Sequence, residues 1–166
     1  MNKSDFLLAK EFIYSDIQRE INLALASQNC IGNFFLRRLI NNSGGGNFIA
    51  ALGLLSYTEF AGRLKFNKLK KNGDSVASEN FNCFFDLLGD DYKTFRKNHN
   101  VYDIFRCGLS HEYFIKKNFI IYMLGARNPC GIGCDKDGKY FFVVEKYLID
   151  FKIAFDALEG ELSFDV

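Results

Sequence analysis

The chain has 166 residues, a size at which one domain can bury a hydrophobic core of its own. Its formal net charge is +1, which excludes a strong positive field over the whole surface, so any contact with nucleic acid would depend on a local patch. No apolar run reaches the length of a membrane span, and Lys3, Asp5, Lys10 and Glu11 stand where a signal peptide needs an apolar core, so we expect a cytoplasmic protein that does not contact membranes.

Helical patterns fill the first two thirds of the chain, and the single proline of the sequence favours helices over a β-sandwich. After Ser4, a suitable N-cap, apolar residues recur every three or four positions, which predicts an amphipathic helix. Residues 48–55 are apolar on nearly all sides, which indicates a helix at the centre of the core. The glycines of residues 44–46 predict a loop. The predicted helices cover about residues 4–27, 29–41, 47–65, 79–88, 90–98 and 101–114.

The last third of the chain changes character. Residues 118–124 and 139–144 are rich in aromatic and β-branched side chains, and turn signals lie between them, so we predict that they pair as a β-hairpin. A final helix follows. The sequence therefore predicts one mainly α domain over residues 1–166, with a helical bundle at about 4–118, a β-hairpin at 119–144 and a C-terminal helix at 146–159.

Two residues with acid–base and phosphate-binding chemistry stand close together in the predicted helix at 101–114. His111 is one of only two histidines, and Arg106 precedes it by five residues. An imidazole can take or give a proton at cellular pH, and a guanidinium suits a phosphate that gains negative charge in a transition state. These are the two groups that RNA cleavage without a metal requires.

Helix geometry limits how these two side chains can meet. On a straight α-helix a five-residue offset separates them by roughly 140°. Their convergence would need a bend, for which Gly108 is a candidate, or a second chain that presents its own copy. The segment also has a purely structural interpretation. One face of the helix would then simply pack against the core, and it would consist of Tyr102, Arg106, Leu109 and Tyr113.

The segment at residues 102–113, YDIFRCGLSHEY, resembles the arginine–histidine motif of HEPN domains. With Tyr113 it takes the form Arg-x4-His-x-Tyr, similar to the toxins of HEPN/MNT toxin–antitoxin pairs. HEPN domains are small helical bundles with this motif late in the domain, so the resemblance implies a HEPN-like bundle. It also implies a homodimer in which two motifs form one cleft, and a metal-independent endoribonuclease that acts on RNA without a cofactor.

The resemblance also implies roles for individual residues. Arg106 would hold the phosphate and His111 would be the general acid or base. Tyr113 matches the tyrosine that a nucleotidyltransferase antitoxin modifies in some of these toxins, which suggests a toxin–antitoxin or phage-defence system. The alternative is a non-catalytic HEPN-like helical module that binds nucleotide, RNA or a protein partner.

Three other residues are candidates for supporting roles. Glu59, on the second long helix, can pair with Arg106 across the bundle and orient it, or it can be a solvated surface residue. Lys116 and Lys117 follow the motif and can contact the RNA backbone, or they can form an ordinary solvated face.

Two further features have competing interpretations. Residues 130–134, CGIGC, hold a cysteine pair, but a structural zinc needs four ligands and the sequence has no second pair, so we expect a hairpin loop and no metal. His99 stands between two asparagines at a predicted helix break, where it is either a capping or surface residue or a second catalytic base.

Overall fold

The computed structural model describes residues 2–29, 46–70, 73, 76–112 and 119–162, and for residues 27–29, 111 and 112 it describes the backbone alone. The fold is mainly α, as the sequence predicts, with a small sheet and a C-terminal helix. The predicted short helix at 29–41 lies almost entirely outside the described residues. The α-helices are α1 (Lys3–Asn29), α2 (Gly46–Phe66), α3 (Ala77–Phe85), α4 (Asp90–Asn98) and α5 (Val144–Glu161). The other elements are a 3-10 turn (Asp86–Leu88), a π-helix (Tyr102–Glu112), β1 (Ile120–Tyr122), β2 (Ile132–Cys134) and β3 (Tyr140–Val143).

Helix α2 lies at the centre of the core, as its apolar first half predicts. Its buried residues include small and aliphatic side chains on several faces, namely Ala50, Ala51, Leu54, Leu55 and Ala61. The aromatic side chains of α3 and α5 surround it; Phe84, for example, contacts both Phe151 and Phe155. Although α2 is strongly apolar, no helix in the described ranges is both long enough and apolar enough to cross a membrane.

Helices α2 and α3 approach each other closely at a glycine. A Cβ atom on Gly62 would lie 1.9 Å from the carbonyl oxygen of Asn80, so a larger residue would push the two helices apart. The buried Asn80 side chain fixes the same junction, because its amide exchanges hydrogen bonds of 2.8 and 3.1 Å with the backbone of Lys68. This close packing sets the position of the second half of α2, which carries Glu59.

The sheet differs from the predicted hairpin. The two predicted strands are neighbours, but β1 pairs with β3 in parallel, with Ile120 opposite Phe141. The antiparallel hairpin forms between β2 and β3, and its turn at Gly138 (φ 75°) is the one that the sequence predicts. The predicted pairing of these two strands was therefore wrong. After β1 the chain passes to the far side of the sheet and forms β2, which we predicted to be a loop, and only then forms β3 between the two.

Strand β2 was missed because glycines interrupt its sequence. Gly133 lies directly against the ring of Phe141, and a Cβ atom there would stand 2.4 Å from it. Gly131, just before the strand, donates its N–H to the Tyr92 hydroxyl at 2.9 Å, inside the core. Glycine is thus required in this strand because side chains from other elements occupy the space a Cβ would take.

Candidate active site

The motif lies on a π-helix, not on the α-helix that we predicted. Val101, Phe105 and Leu109 are buried at intervals of four residues and anchor the element to the core. Asn100 begins it, because its backbone carbonyl accepts from the N–H of Ile104 at 2.9 Å and its side chain accepts from the N–H of Asp103 at 3.3 Å. Our angular estimate assumed α-helical winding and is therefore wrong for this segment.

The winding changes the relation between positions 106 and 111. A π-helix closes its hydrogen-bonded turn five residues on, so a residue five positions later lies about one turn along, near the same face. The backbone of both positions lies within the π-helix. Neither a bend at Gly108 nor a second chain is then needed to bring these two backbone positions to one side.

Arg106 contacts Glu59 across the interface between α2 and the π-helix. The guanidinium Nε donates to Glu59 Oε2 at 3.2 Å, and the side chains are 22% and 28% exposed. Glu59 was expected either to pair with Arg106 or to be a solvated surface residue, and the structure contains the ion pair. The pair is partly open to solvent and uses one guanidinium nitrogen, so a second anion can still approach the arginine.

Ser110 also contacts Arg106, and the sequence analysis missed it. Its hydroxyl donates to the Arg106 carbonyl at 2.7 Å and accepts from the guanidinium Nη1. The only signal in the sequence is a serine four residues after an arginine, which is common on helices. The described side chains thus hold the guanidinium from two directions.

Tyr102 borders the arginine one turn earlier. Burial raises the pKa of its hydroxyl, the Glu59 carboxylate and Cys107 raise it further, and Arg106 lowers it. Its ring packs edge-on against Phe81 at 5.4 Å between centroids. Tyr102 is therefore a neutral wall of the site at cellular pH.

Several candidate residues cannot be placed. The side chain of His111 and the residues Tyr113, Lys116 and Lys117 lie outside the part of the chain that the structure describes. Their roles stay predictions.

His99 has structural contacts. It is the C-cap of α4; its ring stacks on Phe95 with centroids 4.4 Å apart, and its Nδ1 lies 3.1 Å from the Tyr140 hydroxyl. These contacts agree with the capping interpretation and join α4 to the sheet.

The two cysteines lie on either side of the start of β2, with Cys130 two residues before the strand and Cys134 as its last residue. Cys134 ends β2, so the region is partly a strand where we expected only a loop. Burial raises the pKa of the Cys130 thiol to about 11, so it stays protonated at cellular pH. The described residues contain no group of three or more His, Cys, Asp or Glu side chains that could hold a metal ion.

Comparisons with protein-family models, with curated proteins and with solved structures gave no match to this chain. The residues of the motif and their geometry are therefore the basis on which a function is inferred.

Proposed function

We propose that the chain is a metal-independent endoribonuclease of the HEPN type, in which Arg106 and His111 form the active pair. The observation that carries the proposal is the winding of the π-helix, which brings backbone positions 106 and 111 near one face. The five-residue spacing would separate them on an α-helix, and here it favours their cooperation.

The contact and the partial exposure of the Arg106 side chain also support the proposal. Its guanidinium is held by Glu59 through a single nitrogen while 22% of the side chain stays exposed. An arginine fixed in this way can donate further hydrogen bonds to a phosphate without first giving up a bidentate partner.

The reaction follows from the chemistry of the two groups. His111, acting as base, takes the proton of the ribose 2′-hydroxyl, and the 2′-oxygen attacks the adjacent phosphorus. The bond to the 5′-oxygen breaks, and that oxygen leaves with a proton supplied by a general acid, a role that His111 can also fill in its protonated form. Arg106 stabilises the negative charge that develops on the phosphoryl oxygens. The products are a 2′,3′-cyclic phosphate and a free 5′-hydroxyl.

The same proposal includes the partners that the motif implies. Two chains would associate so that their motifs share one cleft, with Lys116 and Lys117 on the RNA backbone. Tyr113 would be the residue that a nucleotidyltransferase antitoxin modifies, in a toxin–antitoxin or phage-defence system.

The decisive experiment compares the two histidines. We expect purified wild-type protein to cut RNA in EDTA and to leave 2′,3′-cyclic phosphate ends, and His111→Ala to lose this activity. His99→Ala is the matched control, because His99 contacts Phe95 and Tyr140 and should be dispensable for cleavage in folded protein. Equal cleavage by wild type and His111→Ala would show a contaminating nuclease and end the proposal.

One observation favours a second candidate, the non-catalytic helical module. Glu59 and Ser110 already occupy part of the guanidinium, as they would in an arginine that only joins α2 to the π-helix. In that case wild type and His111→Ala would both leave RNA intact, and both would retain the same ligand or partner equally in a pull-down.

A further inference from the structure

We propose that Ser110 is a positioning residue for Arg106, an inference that rests on the proposed ribonuclease function. Its hydroxyl ties the arginine side chain to the backbone of the π-helix, so that the guanidinium keeps a fixed direction relative to the helix.

The contacts of the hydroxyl match what a serine can do. A hydroxyl has one donor and two acceptor sites. Ser110 uses its proton on the Arg106 carbonyl oxygen, 2.7 Å away, and accepts from Arg106 Nη1 with its oxygen. Both partners belong to one residue, so the serine closes a ring between the backbone and the side-chain end of Arg106.

The bond to the carbonyl has a particular consequence in this helix. In a π-helix the carbonyl of residue 106 faces the N–H of residue 111, and a carbonyl oxygen can accept two hydrogen bonds. The Ser110 hydroxyl can use the second lone pair without displacing the backbone bond. The bond to the carbonyl therefore ties Arg106 to the helix and leaves the backbone hydrogen bond of the π-helical turn in place.

Ser110 and Glu59 hold different nitrogens of the same guanidinium. Glu59 reaches Nε from α2, and Ser110 reaches Nη1 from the π-helix itself. An arginine side chain loses much rotamer freedom when it is fixed. If the Arg106 side chain is already fixed in the folded protein, its conformational entropy does not have to be lost when the transition state forms. The rate of cleavage is then higher.

The kinetic test compares Ser110→Ala, Ser110→Thr and a matched serine. In Ser110→Ala we expect kcat for RNA cleavage in EDTA to fall by about tenfold to a hundredfold with KM nearly unchanged, because the lost hydrogen bond involves a charged group. Ser110→Thr keeps the hydroxyl and should recover most of kcat. Ser56 makes the same type of bond, 2.8 Å to the carbonyl of Leu52, so Ser56→Ala is the control and should keep the wild-type kcat.

A second readout does not need activity. The Nη1–H signal of Arg106 in low-temperature NMR, assigned by its loss in Arg106→Lys, reports whether the Ser110 hydroxyl holds the guanidinium. We expect slow exchange with water in wild type, Ser56→Ala and Ser110→Thr, and fast exchange in Ser110→Ala.

The two readouts separate the two proposals. If wild type cuts RNA while Ser110→Ala keeps both the wild-type kcat and the protected signal, the positioning role is overturned and the ribonuclease stands. If wild type does not cut RNA while the Arg106 signal exchanges fast in Ser110→Ala, the ribonuclease proposal is overturned. The positioning of Arg106 by Ser110 is then still supported.

Discussion

Two arginines ten residues apart, Arg96 on α4 and Arg106 on the π-helix, are paired with carboxylates in different ways. Arg96 donates from Nε and Nη2 to the two oxygens of Asp86, each at 2.6 Å, and these hydrogen bonds raise its pKa above the ordinary value. Arg106 donates to Glu59 from Nε alone, at 3.2 Å.

Exposure does not explain this difference, because the Arg96 side chain is 32% exposed and that of Arg106 only 22%. The geometry of the contact does. A bidentate pair uses the same fork of donors that would bind a phosphate, so Arg96 is committed to joining α4 to the 3-10 turn. Arg106 donates to Glu59 from Nε and to Ser110 from Nη1, and the other N–H groups of its guanidinium are donors that a substrate can use. An arginine that binds a phosphate is thus distinguished from a structural one by the N–H donors that its protein partners leave unused.

We expect the greatest change in RNA cleavage, which should depend on Arg106 and not on Arg96. Arg106→Ala should lower kcat/KM for RNA cleavage by about 10²- to 10³-fold, as is usual when a donor to a developing oxyanion is removed. Arg96→Ala should keep the activity of the folded protein and lower the free energy of unfolding by about 1 kcal/mol, because it removes one partly exposed ion pair. Cleavage kinetics and urea denaturation of both variants measure this contrast. A comparable loss of activity in Arg96→Ala would contradict a purely structural role for the bidentate pair of Arg96 and Asp86.

Substitution of the carboxylate that pairs with each arginine should have a smaller effect on cleavage. Glu59→Gln keeps the shape of the side chain and removes its charge, so Arg106 is held less firmly, and kcat should fall by about tenfold. Asp86→Asn is the matched change at the other pair and should affect thermal stability without changing kcat. If Glu59→Gln instead raised kcat or tightened RNA binding, Glu59 would be a competitor of the phosphate and not its organiser.

The smallest expected effect concerns Tyr102, which lies beside Arg106. Burial raises the pKa of Tyr102 above the ordinary value of a tyrosine, so the hydroxyl stays neutral from cellular pH into the mildly alkaline range and cannot be the group whose ionisation limits the rate there. Tyr102→Phe should therefore leave the shape of the pH–rate profile unchanged over that range. The profile of kcat in EDTA, recorded for both proteins, provides the measurement. A shift of the alkaline limb in the variant would make Tyr102 part of the acid–base chemistry.

Sequence reasoning predicted features that depend on local patterns or on simple charge pairing. The mainly α character, the central α2, the turn at Gly138 and the final helix follow from periodicity and turn residues. The contact between Glu59 and Arg106 was one of two readings, because opposite charges on facing helices attract each other.

The remaining features depend on contacts between distant segments. Parallel pairing of β1 with β3 is not visible in either strand, and β2 has three residues of which one is glycine. The π-helix escaped prediction because buried residues at 101, 105 and 109 suit α- and π-helical winding alike. The role of Ser110 depends on that winding, so it could not be found before the helix type was known.

The close approach of Gly62 to Asn80 has an evolutionary consequence. A side chain at position 62 cannot be gained unless α3 moves away, and such a movement would break the amide bridge from Asn80 to Lys68. Positions 62 and 80 should therefore change together or not at all as related sequences diverge. This linked pair offers a signature for recognising distant relatives that does not depend on the arginine–histidine motif.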